Sequence, residues 1–262
     1  MAEEEIKPWA RNDEKWIAEK NIKFSIASKE DIPDLTTFIH ETFYLDEPVH
    51  RNIRAMEGNG WVDNYLRKLL DKALIIDPLC NNEVAPASIV ARSTVDNSIV
   101  GCRIGEISTR KSVKDFSIPP ILWITSLPTF LPIPKKITDM SNMIQYLIDV
   151  NYGKPQAFDE LRDTDQIYFA ALVTVSKKAR GAGLGTELAE RGYEIAKKTG
   201  CGYTYVLATS IYSQKIFHKY ENWKLLHEVK YEDYKYDKKG RPFLIDPQEH
   251  KVIQLLALKH QN

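Results

Sequence analysis

Val173-Thr174-Val175-Ser176-Lys177-Lys178-Ala179-Arg180-Gly181-Ala182-Gly183-Leu184-Gly185-Thr186-Glu187-Leu188 runs from an apolar, β-branched stretch through a glycine-rich turn into a helical pattern. The junction has the properties of a phosphate site. Glycines at 181, 183 and 185 let backbone approach a ligand closely and adopt conformations closed to other residues, while the helix that follows directs unpaired N–H groups and a positive dipole end at an anion. Arg180 adds a fixed cation. Two common phosphate turns do not fit. A P-loop needs Gly-Lys-Ser/Thr, and this turn ends Gly185-Thr186-Glu187. A dinucleotide fingerprint opens the first strand of its unit and carries an acid about twenty residues on. Here the turn lies late in the chain, and the next strand, 203–208, is uncharged.

What remains is Arg180, Gly183 and Gly185 in the pattern Arg/Gln-x-x-Gly-x-Gly/Ala, preceded by Val173-Thr174-Val175. This resembles the acetyl-CoA site of the GNAT N-acetyltransferases. The resemblance implies acetyl-CoA as co-substrate and no metal. It also implies that Val173 and Val175 bind the pantetheine arm, and that Arg180, Gly181, Ala182, Gly183, Leu184, Gly185 and Thr186 form the pyrophosphate cradle.

The rest of the chain agrees with a soluble α/β protein. Its 262 residues, 43% hydrophobic, suffice for a substantial core, and 36 basic residues balance 36 acidic ones, so no net field draws it to nucleic acid or an anionic membrane. The start, Met1-Ala2-Glu3-Glu4-Glu5, lacks the basic and apolar regions of a signal peptide, and Cys80, Cys102 and Cys201 are too few and too scattered for a disulfide framework or zinc site. The expectation is a cytoplasmic monomer. The most apolar stretch, 118–133, carries Pro119, Pro120, Pro128 and Pro132, which break any helix able to cross a bilayer; it reads as a loop packed on the core or a substrate wall.

Periodicity predicts a polar leader over 1–21 and then one domain over 22–262. Its elements are a strand at 23–26, a helix from Ser28 and Asp31 to about Tyr44, a helix at 61–74 with Trp61, Tyr65, Leu66, Leu69 and Leu70 on one face, and strands at 87–92 and 99–107 joined through Asp96-Asn97-Ser98. A large insertion follows at 109–164, with a helix near 140–150. Then come a strand at 166–175, a helix at 183–199, a strand at 203–208, a helix at 211–220 and strands at 223–234 and 251–259. That order matches the GNAT fold, a mixed central sheet flanked by helices, with the insertion between the third and fourth strands.

Acetyl transfer to an amine needs an acceptor for the ammonium proton. Asp46-Glu47-Pro48-Val49 resembles the Asp-Glu-Pro-Leu segment of insect-type arylalkylamine N-acetyltransferases, which implies Glu47 as general base; on its own it reads as a solvated helix-end acid. Phe43, Tyr44 and Trp61 are expected to raise its pKa by desolvation. Thr209 and Ser213, one helical turn apart, stand where that group has serines that bind substrate or protonate the thiolate, and Ser210 reads as a helix cap. The tyrosine position of other GNAT enzymes falls on Phe217 or His218, depending on the register chosen between Ser213 and Trp223. Asp233-Tyr234-Lys235 also resembles the arylalkylamine group. The resemblance implies a small arylalkylamine acceptor such as serotonin, dopamine, tyramine or octopamine. Rival readings are acetylation of protein or polyamine amines, and a catalytically silent acyl-CoA-binding module.

Overall fold

The structure is a computed structural model that describes residues 9, 11–53, 58–80, 84–109, 164–220, 222–233 and 248–260. The Pro-rich loop, the helix expected near 140–150, and Tyr234 and Lys235 lie outside the described residues.

Among the described residues seven strands form one mixed sheet. In chain order they are β1 (Ile22–Ile26), β2 (Ile89–Ser93), β3 (Ile99–Thr109), β4 (Gln166–Val175), β5 (Tyr203–Ala208), β6 (Trp223–Lys230) and β7 (Val252–Lys259), and in space they lie β1-β2-β3-β4-β5-β7-β6. Neighbours are antiparallel except β4 and β5, which run parallel. The long insertion joins β3 to β4, which pair along nearly their whole length.

Alternating side chains feed two cores. One face carries α2 (Ile32–Thr42), α3 (Pro48–Ile53) and α4 (Trp61–Asp71), packing Leu35, Ile39, Leu66 and Leu70 against Val90, Cys102, Ile104 and Leu172. α4 continues through a π-helical turn, Lys72–Ile76, into the short α5 (Asp77–Cys80). On the other face, α6 (Leu184–Lys198) and α7 (Ile211–Phe217) pack Leu184, Leu188, Ile195 and Phe217 against Phe24, Ile89, Tyr168 and Leu256. Local chemistry starts and stops these helices. The Ser28 amide donates to Asp31 at 2.8 Å ahead of α2, and α6 ends at Gly200 with φ +78°. The buried face of α4 differs from the expected one. Leu66 and Leu70 are buried, whereas Trp61 and Tyr65 are 69% and 40% exposed on its outer side.

One irregularity positions the site. Opposite β3, Leu172 pairs with Ile104 and Ala170 with Gly105, so Ala171 is an extra residue in β4. This bulge reverses the alternation. Tyr168 and Ala170 join the α6-side core, whereas Leu172 faces the other and Thr174 reaches Thr42 on α2 at 3.1 Å. The parallel ladder with β5 ends at the same point, with Ala170 paired to Val206 as its last register. Beyond it the two strands part.

The stretch read as a polar leader contains a helix, α1 (Glu14–Lys20), preceded by a buried Trp9. Its anchor is Arg191 of α6, fully buried, which donates to Asp13 at 2.7 Å and pairs with Glu187 at 2.9 Å, with the Phe24 ring 3.8 Å from its guanidinium carbon. Arg11 pairs with Glu187, Glu190 and Glu194 on the same helix. Because Arg191→Ala removes a fully buried cation from between Asp13 and Glu187, it is expected to destabilise the fold by about 3–5 kcal/mol. A fall in the urea midpoint at constant slope checks this; an unchanged midpoint contradicts the anchoring role.

Candidate active site

The parting of β4 and β5 opens a cleft of about 840 Å³. One wall is residues 169–175 of β4, the other Val206 and Leu207 of β5, and the floor of the wedge is where the ladder stops. Strand residues past Ala170 have no β5 partner, so the edge of β4 that faces the cleft offers backbone groups to an extended ligand.

At one end β4 passes into the glycine turn. Gly181 and Gly183 sit at φ +80° and +84°, and a Cβ at either meets nothing within 4 Å, so backbone conformation and not crowding selects glycine there. At Gly185 the reason is contact, since a Cβ would lie 3.1 Å from Ile216 on α7. Gly183 caps α6 without a side chain, and the Glu187 amide is the first to be satisfied, by the Gly183 carbonyl at 3.0 Å. The amides of Leu184, Gly185 and Thr186 therefore lack intrahelical acceptors at the positive end of a 15-residue helix. Val173, Val175, Arg180, Gly181, Gly183, Leu184, Gly185 and Thr186 all line the cleft; Ala182, the remaining member of the turn, does not. Arg180 spans it, donating to Asp46 at 2.6 Å and to the Val175 carbonyl at 3.3 Å.

Glu47 also lines the cleft. It is the N-cap of α3, its carbonyl accepting the Arg51 amide at 2.9 Å and its Oε2 accepting the His50 amide at 2.6 Å. The same Oε2 lies 2.5 Å from His50 Nδ1. The Glu47 side chain is 5% exposed, and Oε1 is buried without a hydrogen-bond partner. Burial by itself raises such a carboxyl, but the His50 imidazole, the nearby Thr209 hydroxyl and the His50 amide together outweigh it, and Glu47 rests below the ordinary glutamate range. Thr209 is close enough to act on the charge, yet no hydrogen bond of ordinary geometry closes on Oε1. This reverses the expected direction of the shift. Trp61 is no part of the surround; the rings beside Glu47's partner are Phe43 and Tyr44, 5.2 and 5.3 Å from the His50 ring.

Thr209 and Ser213 both line the cleft. Ser210 caps α7 as its position predicts: its Oγ accepts the Ser213 amide at 3.2 Å, while the Ser213 hydroxyl donates to the Ser210 carbonyl at 2.8 Å. The two candidate positions at the end of α7 face different ways. Phe217 is buried and lines the cleft, whereas His218 turns outward to Gln254 at 2.7 Å. His250 was not foreseen. It is 4% exposed, lines the cleft beside Thr209 and accepts the Ile211 amide on Nδ1 at 3.2 Å; burial lowers its pKa. Standing just before β7, it has no spacing relation to Glu47 or Ser213 that sequence could reveal.

With this geometry in hand, comparison with known proteins is informative. Arylalkylamine N-acetyltransferase 2 from Aedes aegypti superposes with a TM-score of 0.73 at 21% identity, covering 91% of this chain and 99% of that one. The chain has the GNAT fold. Mosquito arylalkylamine N-acetyltransferase like 5b gives 0.64 at 16% identity, over 91% of this chain and all of that one. A Drosophila melanogaster polyamine N-acetyltransferase that forms N-acetylagmatine gives 0.65 at 16%, with the same coverage of both chains. No family model and no curated protein sequence matches the chain. Among the described residues no group of His, Cys, Asp or Glu could hold a metal, and no helix is long and apolar enough to cross a membrane.

Glu47 is expected to titrate below the ordinary glutamate range, measured as the midpoint of its side-chain ¹³C carboxyl shift. Its stabilising contribution is then present above the unfolded-state pKa and lost as pH falls through the folded value. A midpoint above the ordinary range contradicts the arrangement.

Proposed function

We propose that the protein transfers an acetyl group from acetyl-CoA to the primary amine of a small arylalkylamine, with Glu47 as general base. The observation that carries this reading is the orphan Oε1 of Glu47, a buried, ionised acceptor without a donor, in the same cleft as the anion-ready turn. A substrate ammonium supplies the missing donor.

The cleft fits acetyl-CoA in its own terms. The open amides of Leu184, Gly185 and Thr186 and the Arg180 guanidinium suit a pyrophosphate, and the unpaired edge of β4 past Ala170, with Val173 and Val175, suits an amide-bearing arm. Acetyl-CoA supplies the acyl group as a thioester. Glu47 Oε1 takes one proton from the ammonium, freeing the nitrogen lone pair to form the new C–N bond as the C–S bond breaks, and the nitrogen gives its second proton to water as the neutral amide forms. The thiolate takes its proton from Ser213 or water, and no acyl-enzyme is required. Thr209 keeps a hydroxyl beside the base. His218, pointing away, takes no part.

An aromatic acceptor is favoured over a polyamine by what lines the cleft. Phe43, Phe169, Tyr212 and Phe217 face it, while Asp46 is tied to Arg180 and Glu249 to the Tyr212 hydroxyl at 2.6 Å. Among the described residues that line the cleft, Glu47 is the carboxylate with a buried, unpartnered oxygen, suited to one ammonium rather than two.

Turnover of an amine panel with acetyl-CoA, read as free thiol, tests the proposal. Tyramine, dopamine and serotonin are expected to exceed agmatine and spermidine in kcat/KM. Glu47→Gln is expected to lose about 10²–10⁴-fold near neutral pH and less at high pH, where free amine is abundant. Preference for the polyamines overturns the substrate class, and no thiol release with any amine overturns the activity.

A further inference from the structure

The carboxylate of Glu47 is gripped from one side. Both of its ordinary hydrogen bonds, the His50 amide at 2.6 Å and His50 Nδ1 at 2.5 Å, end on Oε2, and none ends on Oε1. An ionised carboxylate only accepts, so Nδ1 carries the proton in this contact. The grip follows from local sequence. Pro48 occupies the first position of α3, so Glu47 is its cap and His50 its third residue, which brings amide and imidazole of one residue onto one oxygen.

The imidazole is itself fixed. Its side chain is 9% exposed and stacks on Tyr44 at 5.3 Å and 18°, with Phe43 tilted against it. Tyr44 is buried, its hydroxyl donating to Asp71 at 3.4 Å, and Asp71 also holds His40 at 2.7 Å. His50 thus has little freedom to leave Oε2, and Glu47 little freedom to turn its oxygens over.

We propose that His50 is a positioning residue of the reaction: its imidazole ties down Oε2 and so leaves Oε1 as the oxygen that receives the ammonium proton. The inference rests on the reading of Glu47 as general base. In the step itself an N–H bond of the ammonium breaks, its proton moves to Oε1, and the proton on Nδ1 stays with His50, still donated to Oε2. A second consequence concerns pH. The charged and titratable groups around the pair are Tyr44 just past α2, with Asp71 and His40 behind it, Asp46 with its partner Arg180, Arg51 on α3, and Glu249 and His250 ahead of β7. Inside this ring the His50 imidazole touches the Glu47 carboxylate directly. Without it, burial is countered less, by the Thr209 hydroxyl and the residue-50 amide, so Glu47 holds its proton to higher pH and the base is lost over a wider acidic range.

The pH dependence of kcat/KM for one arylalkylamine, in His50→Phe, His50→Asn and Glu47→Gln beside the parent protein, tests this. Phenylalanine keeps a flat ring against Tyr44 but has no donor; asparagine carries an N–H on the branch where Nδ1 stood. His50→Phe is expected to move the acidic limb upward by about one pH unit or more, with the rate recovering at high pH, while His50→Asn leaves the limb near its parental position. A residue that only packs would lower the rate equally at all pH. A limb unmoved in His50→Phe, a uniform loss, or equal displacement in both variants overturns the inference. If those results come with Glu47→Gln still impaired, His50 alone is misassigned. If Glu47→Gln keeps the parental rate and limb, the reading of Glu47 itself fails. Thermal midpoints of the variants separate either result from unfolding.

Discussion

Everything functional in this molecule depends on two strands that cannot stay paired. β4 and β5 run parallel for four residue pairs and then part where Ala171 bulges out of register. A bulge both bends its strand and reverses the side-chain alternation beyond it. Here the bend opens a wedge inside the sheet, and the reversal turns Thr174 toward Thr42, leaving Val173 and Val175 on the α6 side. A continuous ladder would have filled that space with backbone hydrogen bonds. The fold gives up a few of them and gains an edge that a ligand can complete.

The wedge carries charges of both signs. The α6 amides, two left-handed glycines and Arg180 make a positive cradle, while Glu47 is a carboxylate held out of water by its His50 partner. An ion pair between Arg180 and Asp46 joins the turn to the segment that carries Glu47. The cradle depends on the orientation of α6, and the back of α6 is anchored by Arg191, Asp13 and the helix preceding β1. Residues far from the chemistry thus keep the helix dipole aimed at the cleft.

Much of this was legible because glycine spacing and hydrophobic period are local signals. The turn from Arg180 to Gly185, the strand before it and the helix after it stand where the sequence puts them, as does the Ser28–Asp31 helix start. Other features were hidden because they depend on partners distant in sequence. Nothing around Ala171 marks a bulge, since it exists only relative to Ile104 and Gly105. Trp61 looked like core by its period, but the side of α4 that meets the sheet is set by Leu66 and Leu70. The helix in the supposed leader is held through Asp13 by Arg191, 178 positions away in sequence. For His50 a signal was present: Glu47-Pro48-Val49-His50 places a cap and the third residue of a helix in order, which the proline disguised as a helix end. Desolvation was weighed for Glu47 without this donor, so the direction of its shift came out reversed.

The central claim is that one cleft, opened by the parting of β4 from β5, takes both the acyl donor and the amine. Amide hydrogen exchange with and without acetyl-CoA measures this most directly, because the cradle and the open strand edge are backbone groups. The account predicts slowed exchange over residues 172–175 and 184–186 on adding acetyl-CoA, with the paired residues of β6 and β7 unchanged. Protection confined to other parts of the chain, with those two segments exchanging as before, would contradict it.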